Sequence, residues 1–174
     1  MGTSLQGEKD FPELDRLIRA FPGGSTIVFD IAGFDLFGYS YSKQTIRAAL
    51  LLAKGDTYGS KYFLVRSPNR KYAEELSGAL GEQRLAMLCS TSEDLSGFYD
   101  DYFVLGEINA LERATLEYVI ESKEATSSDV QRKFDITVQA ASNRLSGLAA
   151  QRLVKWEDQP ERKHNIRVCR RIDP

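Results

Sequence analysis

Apolar positions along the chain follow two different rhythms, and the change falls near Gly106–Asn109. Before it, short apolar runs alternate with helical spacing. Leu14, Leu17, Ile18 and Phe21 recur on one helical face within Phe11–Phe21, and Pro22-Gly23-Gly24 stops that helix. The β-branched, apolar stretch Thr26–Ile31 predicts a strand, Tyr41–Lys54 a buried helix ended by Gly55, and Lys61–Val65 a second strand. Ser67-Pro68-Asn69 turns the chain into a helix over Arg70–Leu80. Arg84–Cys89 is the third expected strand, and Tyr102–Leu105 the fourth, after the acidic loop Ser92–Asp101. Strands separated by helices need crossover connections, so a mainly parallel sheet with helices packed on it is expected.

After Asn109 the pattern is helical until the last segment. Leu111–Glu121 spaces Leu111, Leu116, Val119 and Ile120 as a buried stripe. Thr126–Phe134 is a shorter helix that Thr126 caps while Asp129 answers from the first turn. Asp135-Ile136-Thr137 is a tight turn with Thr137 as the next N-cap, and a third helix over Val138–Ala150 buries Val138, Ala141, Leu145 and Leu148. Arg152–Trp156 and Asn165–Arg170 are strands joined by the charged loop EDQPERKH, a β-hairpin. The expected fold class is α/β plus α+β. A small α/β domain covers residues 11–107 and a helical domain with a hairpin covers 108–174, with residues 1–10 set aside as a tail or expression remnant.

The order helix, helix, short turn, helix, hairpin has a physical use. Two helices crossing steeply over a turn of a few residues let the second enter a DNA major groove. Ala140 and Ala141 keep the start of that helix slim. Gln139, Asn143 and Arg144 fall on or near its outward side, where amide groups can pair with adenine edges and a guanidinium with guanine. Thr137 suits a phosphate contact, which positions a helix without reading sequence. Charge is distributed to match. Residues 1–107 carry 11 Lys and Arg against 15 Asp and Glu, a net of −4, whereas residues 126–172 carry 10 against 5, a net of +5.

The stretch ITVQAASNRLSGLAAQRLVKW, Ile136–Trp156, resembles the recognition-helix-to-wing segment of winged helix-turn-helix transcriptional regulators, including the MarR-like group. The resemblance extends over Asn109–Ile172. It implies that Asp158–His164 is the wing, with Arg162, Lys163 and His164 reaching a minor groove or phosphate backbone. It also implies double-stranded DNA as partner and a homodimer reading two half-sites. Gln151-Arg152 stand where these families often place Gly before the wing strand, a change that disfavours a left-handed helix exit.

In the first half, Ile27-Val28-Phe29-Asp30, Gly33-Phe34 and the turn Tyr39-Ser40-Tyr41-Ser42 resemble the core of STAS-like domains over Ser25–Ile108. That likeness implies a sensing or docking domain for a regulatory protein and makes Ser40 the candidate for phosphorylation. Gly38-Tyr39 replace the acidic residue expected before it, and a helix cap by Ser40 or Ser42 is the simpler reading. The aromatic cluster Phe29, Phe34, Phe37, Tyr39 and Tyr41 reads as core before ligand pocket.

Nothing in the sequence builds a catalytic site. The single histidine, His164, falls in the expected wing loop, which is no place for a Ser-His-Asp triad, and one histidine cannot build a multi-histidine metal site within one chain. There is no phosphate loop, and Gly23-Gly24 precede the first strand instead of following it. Asp30 and Asp35 flank one strand end without phosphate-binding partners and read as turn residues. No cofactor, metal or catalytic residue is therefore expected. Cys89 and Cys169 show no CxxC spacing, which fits neither a zinc site nor a disulfide framework. No apolar run approaches the roughly 20 residues of a membrane span, and no signal-peptide pattern opens the chain. A cytoplasmic, prokaryotic DNA-binding regulator is the expectation. The alternative is a partner-switching adaptor whose winged helix binds protein.

Overall fold

The computed structural model describes residues 3–159 and 166–174. Its first sheet joins β1 (Thr26–Asp30), β2 (Tyr62–Arg66), β3 (Ala86–Ser90) and β4 (Tyr102–Gly106) in that spatial order. The first three run parallel, with Thr26 opposite Tyr62 and Leu64 opposite Leu88, and β4 pairs antiparallel to β3. The reversal has a local cause. The first two connections each contain helix, whereas residues 91–101 form a loop without helix, and such a loop returns the chain antiparallel. The central strands β2 and β3 are buried along almost their whole length, as near-continuous apolar runs should be.

Four helices accompany this sheet: α1 (Ser4–Ala20), α2 (Tyr39–Gln44), α3 (Ile46–Lys54) and α4 (Arg70–Gly81). Phe29 stacks on Phe63 at 5.9 Å, and Leu76, Leu80, Val65 and Met87 continue that core. The expected helix Tyr41–Lys54 is broken at Thr45. There the Thr45 hydroxyl donates to the Tyr41 carbonyl at 2.8 Å, and the Ser42 hydroxyl donates to the Gly38 carbonyl at 3.0 Å. Such back-bonding bends helices.

Residues 4–10 are no tail. They form the first turns of α1, capped by the Thr3 side chain, and they pack on α2. Gly7 permits that approach, since a Cβ there would lie 2.7 Å from the Gln44 Cβ, and the Gln44 amide donates to the Ser4 hydroxyl at 3.1 Å. The contact is polar and glycine-based, so it leaves no apolar period to read. Further along, Ile18 is buried with Phe11 and Leu14 against the core, while Leu17 and Phe21 are exposed.

The chain folds as two compact units that divide after Glu107. The second unit contains α5 (Ala110–Ser122), β5 (Glu124–Ala125), α6 (Ser127–Phe134), α7 (Val138–Ala150), β6 (Lys155–Gln159) and β7 (Ile166–Arg170). Its sheet has the order β5-β7-β6, antiparallel throughout, with Ala125 opposite Cys169 and Trp156 opposite Cys169 on its other side. Leu116, Val119, Ile120, Val130, Ala141, Leu145, Leu148, Val154 and Val168 fill its core. Leu111 and Val138, expected in that core, are 59% and 49% exposed. Both stand in the first turn of their helices, ahead of the layer that neighbouring helices cover. The chain is thus mixed α/β with two sheets, and among the described residues no helix is long and apolar enough to cross a membrane.

The expected strand starts at Arg84 and Arg152 are corrected for one shared reason. Gln83-Arg84-Leu85 and Gln151-Arg152-Leu153 are the same tripeptide, and each closes a helix before a strand begins. Arg84 and Arg152 take left-handed backbone, φ 49° and 59°. Leu85 N–H then donates to the Leu80 carbonyl at 3.2 Å, and Leu153 N–H to the Leu148 carbonyl at 3.0 Å. This is the closure usually completed by glycine. The absence of Gly at 151–152 therefore does not prevent a left-handed exit. At the end of β4, Gly106 has φ 75° and an added Cβ would stand 2.0 Å from the Leu85 carbonyl oxygen. Gly106→Ala is expected to lower first-unit stability by about 2–3 kcal/mol, and Arg84→Gly to raise it by about 1 kcal/mol. Urea unfolding reads both. An unchanged midpoint for Arg84→Gly would show that the arginine side chain offsets its backbone strain.

Candidate nucleic-acid interface

The elements around α7 are set by local chemistry. The Thr126 hydroxyl accepts from Asp129 N–H at 3.2 Å while the Asp129 carboxylate accepts from Thr126 N–H at 2.9 Å, a reciprocal cap that starts α6. Asp135 ends α6 in left-handed backbone, φ 50° and ψ 53°, a conformation that Asp tolerates better than most residues. Ile136 N–H closes on the Gln131 carbonyl at 3.3 Å, and Thr137 caps α7 by accepting from Ala140 N–H at 3.2 Å. Only residues 135–137 separate the two helices.

On α7, Ala141, Leu145 and Leu148 face the core, leaving Thr137, Gln139, Asn143 and Ser146 exposed. The Gln139 amide donates to the Asn143 side-chain carbonyl at 2.9 Å, so the two candidate base-reading amides are neighbours on one helical face. Ser146 continues that row one turn on. Serine carries no strong pairing preference, so residue type alone does not single it out. Thr137 keeps its hydroxyl hydrogen available to a phosphate oxygen, since its cap uses only an acceptor pair.

Arg144 departs from the outward face. It is half-buried, with its guanidinium carbon 5.6 Å above the Phe134 ring, and Phe134 meets Tyr118 edge-on at 6.1 Å. Lys133 completes the row at 5.7 Å over Tyr118. Arg144 and Lys133 thus sit at the two ends of an aromatic pair, a relation that residue spacing could not have disclosed because Tyr118 belongs to α5.

The three-stranded sheet of the second unit carries balanced charge. Arg167 pairs with Asp158 at 2.8 Å and stacks over Trp156, and Arg170 pairs with both Glu157 and Glu124. Glu157 and Asp158, which the sequence sets beside the hairpin cations, are thereby engaged by strand arginines. Arg162, Lys163 and His164 lie outside the described residues. Compared with protein-family models, with curated proteins and with solved structures, the chain matches none.

In the first unit, Ser40 is exposed at the second position of α2. Neither Ser40 nor Ser42 caps that helix. The N-cap is Gly38, which has no side chain, and the Glu75 carboxylate of α4 reaches across to accept from Tyr39 N–H at 3.0 Å. Ser42 bonds backward to Gly38 instead. An acidic group therefore does stand at this helix start, supplied through space and not by the preceding residue. Asp30 is held by Arg66 and by Ala32 N–H, as a turn residue at the end of β1. In the loop after β3, Asp94 accepts from Ser96 and Gly97, and Phe98 is buried as its anchor.

Two measurements follow from these caps. Glu75→Ala is expected to cost about 1 kcal/mol by leaving Tyr39 N–H unpaired, whereas Ser40→Ala should be neutral within about 0.5 kcal/mol. The reverse ranking in denaturant unfolding would return the cap to Ser40. The second concerns acid. Asp129 has its carboxyl held below the ordinary range, chiefly by the Thr126 hydroxyl and also by Thr126 N–H and Arg132, against the opposing pull of partial burial. A depressed carboxyl stabilises fully above its unfolded value of about 3.9, and that contribution drains as pH falls through the lower folded value. Asp129→Ala should cost about 1 kcal/mol near neutral pH and much less in strong acid. Equal costs at both would remove the ionised cap.

Proposed function

We propose that the chain is a DNA-binding transcriptional regulator, with a winged helix-turn-helix in its second unit and a STAS-like sensing or docking domain in its first. The observation that carries this is the exposed row Thr137, Gln139, Asn143 on α7, presented across a three-residue turn from α6. A helix so mounted offers a phosphate donor at its start and two amides along one face, the equipment for major-groove readout. The three-stranded sheet β5-β7-β6 supports the wing reading, since β6 and β7 flank in sequence the segment that carries Arg162, Lys163 and His164. The first unit supports its part more coarsely, through a strand, an aromatic turn and a helix in STAS-like order. A homodimer would set two α7 helices on half-sites about one DNA turn apart.

The adaptor reading has one observation in its favour. Arg132, Arg167, Arg170 and Arg171 are all ion-paired with acids of their own unit, and Arg144 is laid on Phe134, which thins the supply of cations for phosphate. Binding to DNA should then depend heavily on the hairpin tip.

Fluorescence anisotropy of labelled duplexes selected from a random pool, titrated with the full chain across a salt series, separates the two. For a regulator, log K falls linearly with log salt, and replacing Arg162 and Lys163 with Gln lowers the slope by about 1 to 2. Asn143→Ala should cost about 1–3 kcal/mol on the selected duplex while leaving the slope unchanged. No binding at low salt would sink the DNA reading in favour of the adaptor.

A further inference from the structure

The end of β1, the first half of α1 and the α2–α3 segment border an open cavity of about 250 Å³ in the first unit. Its inner wall is carbon, from Phe29, Phe37 and Ile46. Phe34, which is 40% exposed, stands at its mouth, and the buried Tyr41 lines it as well. Phe34, Phe37 and Tyr41 meet one another at ring separations of 5.4 to 5.9 Å, two of the three contacts edge-on. A second hollow of about 280 Å³ shares Asp10, Phe34 and Tyr41 with the first and is bordered by Asp35.

Every charged residue lining either space is an acid: Asp10, Asp30 and Asp35. They are not equivalent. Asp30 is neutralised by Arg66 at 2.5 Å. Asp10 accepts only from uncharged donors, the Tyr41 hydroxyl at 3.0 Å and the Gln6 amide at 2.7 Å, and among the described residues neither it nor Asp35 has an ion-pair partner. Burial pushes the Tyr41 hydroxyl up to about 12, so it stays a neutral donor to the Asp10 carboxyl group. A carboxylate without a cation, beside aromatic faces whose quadrupole attracts positive charge, selects one sign of ligand.

We propose that this cavity binds a small organic ammonium ion, its cationic head at Asp10 beside Phe34 and Tyr41 and its apolar body against Leu14, Val28 and Phe29. The volume lies just below the roughly 300–1,000 Å³ of common ligand pockets, which limits the body to about one ring with a short chain. Binding stands on the cavity alone. Its use as a signal rests on the regulator reading above.

Calorimetric titration of the full chain with phenethylammonium, neutral 2-phenylethanol and anionic phenylacetate tests it. The three probes share a body and differ in charge. The ammonium should bind at least about tenfold more tightly than the alcohol, in line with one charge-assisted contact, and phenylacetate should give no heat. Asp10→Asn should abolish the preference for the ammonium. Tyr41→Phe should keep it, because the carboxylate remains, which separates loss of charge from loss of the local hydrogen bond. Equal affinity for the alcohol and the ammonium would overturn the proposal, as would a preference that survives Asp10→Asn or no binding by any probe at millimolar concentration. DNA plays no part in this readout, so failure of the regulator reading leaves the result interpretable.

Discussion

Both units depend on a helix handing its chain to a strand within a few residues, and in both the hand-over passes through an arginine in left-handed backbone. Each arginine gives up local comfort so that the following leucine, Leu85 or Leu153, drops into the core and the strand sets off from a buried start. From Leu85 the chain enters β3, which has both a parallel and an antiparallel neighbour. From Leu153 it enters β6, one arm of the hairpin. The Leu85 carbonyl also explains why Gly106, paired with Ala86 across the ladder, has no room for a side chain. A glycine at either exit would be the easier residue, so the strain at Arg84 and Arg152 is carried by the packing that surrounds it.

Charge is handled differently in the two units. In the second, acids and arginines of the strands neutralise one another at the surface, and such exposed pairs add little stability. The outer row of α7 is distinguished instead by uncharged amides, those of Gln139 and Asn143. In the first, Asp10 and Asp35 have no ion-pair partner among the described residues and stand beside aromatic rings. One unit has an exposed polar row of the kind that suits a large polar surface, and the other a hollow of the kind that suits a small charged guest.

What the sequence disclosed is what is decided locally. The Thr126–Asp129 cap, the Thr137 cap and the buried positions Ala141, Leu145 and Leu148 depend on residues within one or two turns, and all were readable from spacing. The outward placement of Gln139 and Asn143 followed from the same period. Features decided across elements were not readable. Residues 4–10 pack through Gly7 and hydrogen bonds instead of an apolar stripe. The two-residue strand β5 is too short to show a period. Glu75 caps a helix from another helix, and Arg144 is drawn aside by a ring, Phe134, on the preceding helix and so off the face where spacing put it. The left-handed arginines escaped because side-chain type argued for glycine, while packing around the following leucine decided the backbone.

The cysteines carry a consequence of their own. Cys89 lies in β3 of the first unit and Cys169 in β7 of the second; both are buried, unbridged, and pushed up by burial to about 12. A buried, protonated thiol is inert until its strand opens. Each half of the molecule therefore holds a single natural clock for its own opening, and the two are told apart by which peptide carries the label. Anything that tightens one half alone would slow one clock and leave the other running at its former pace.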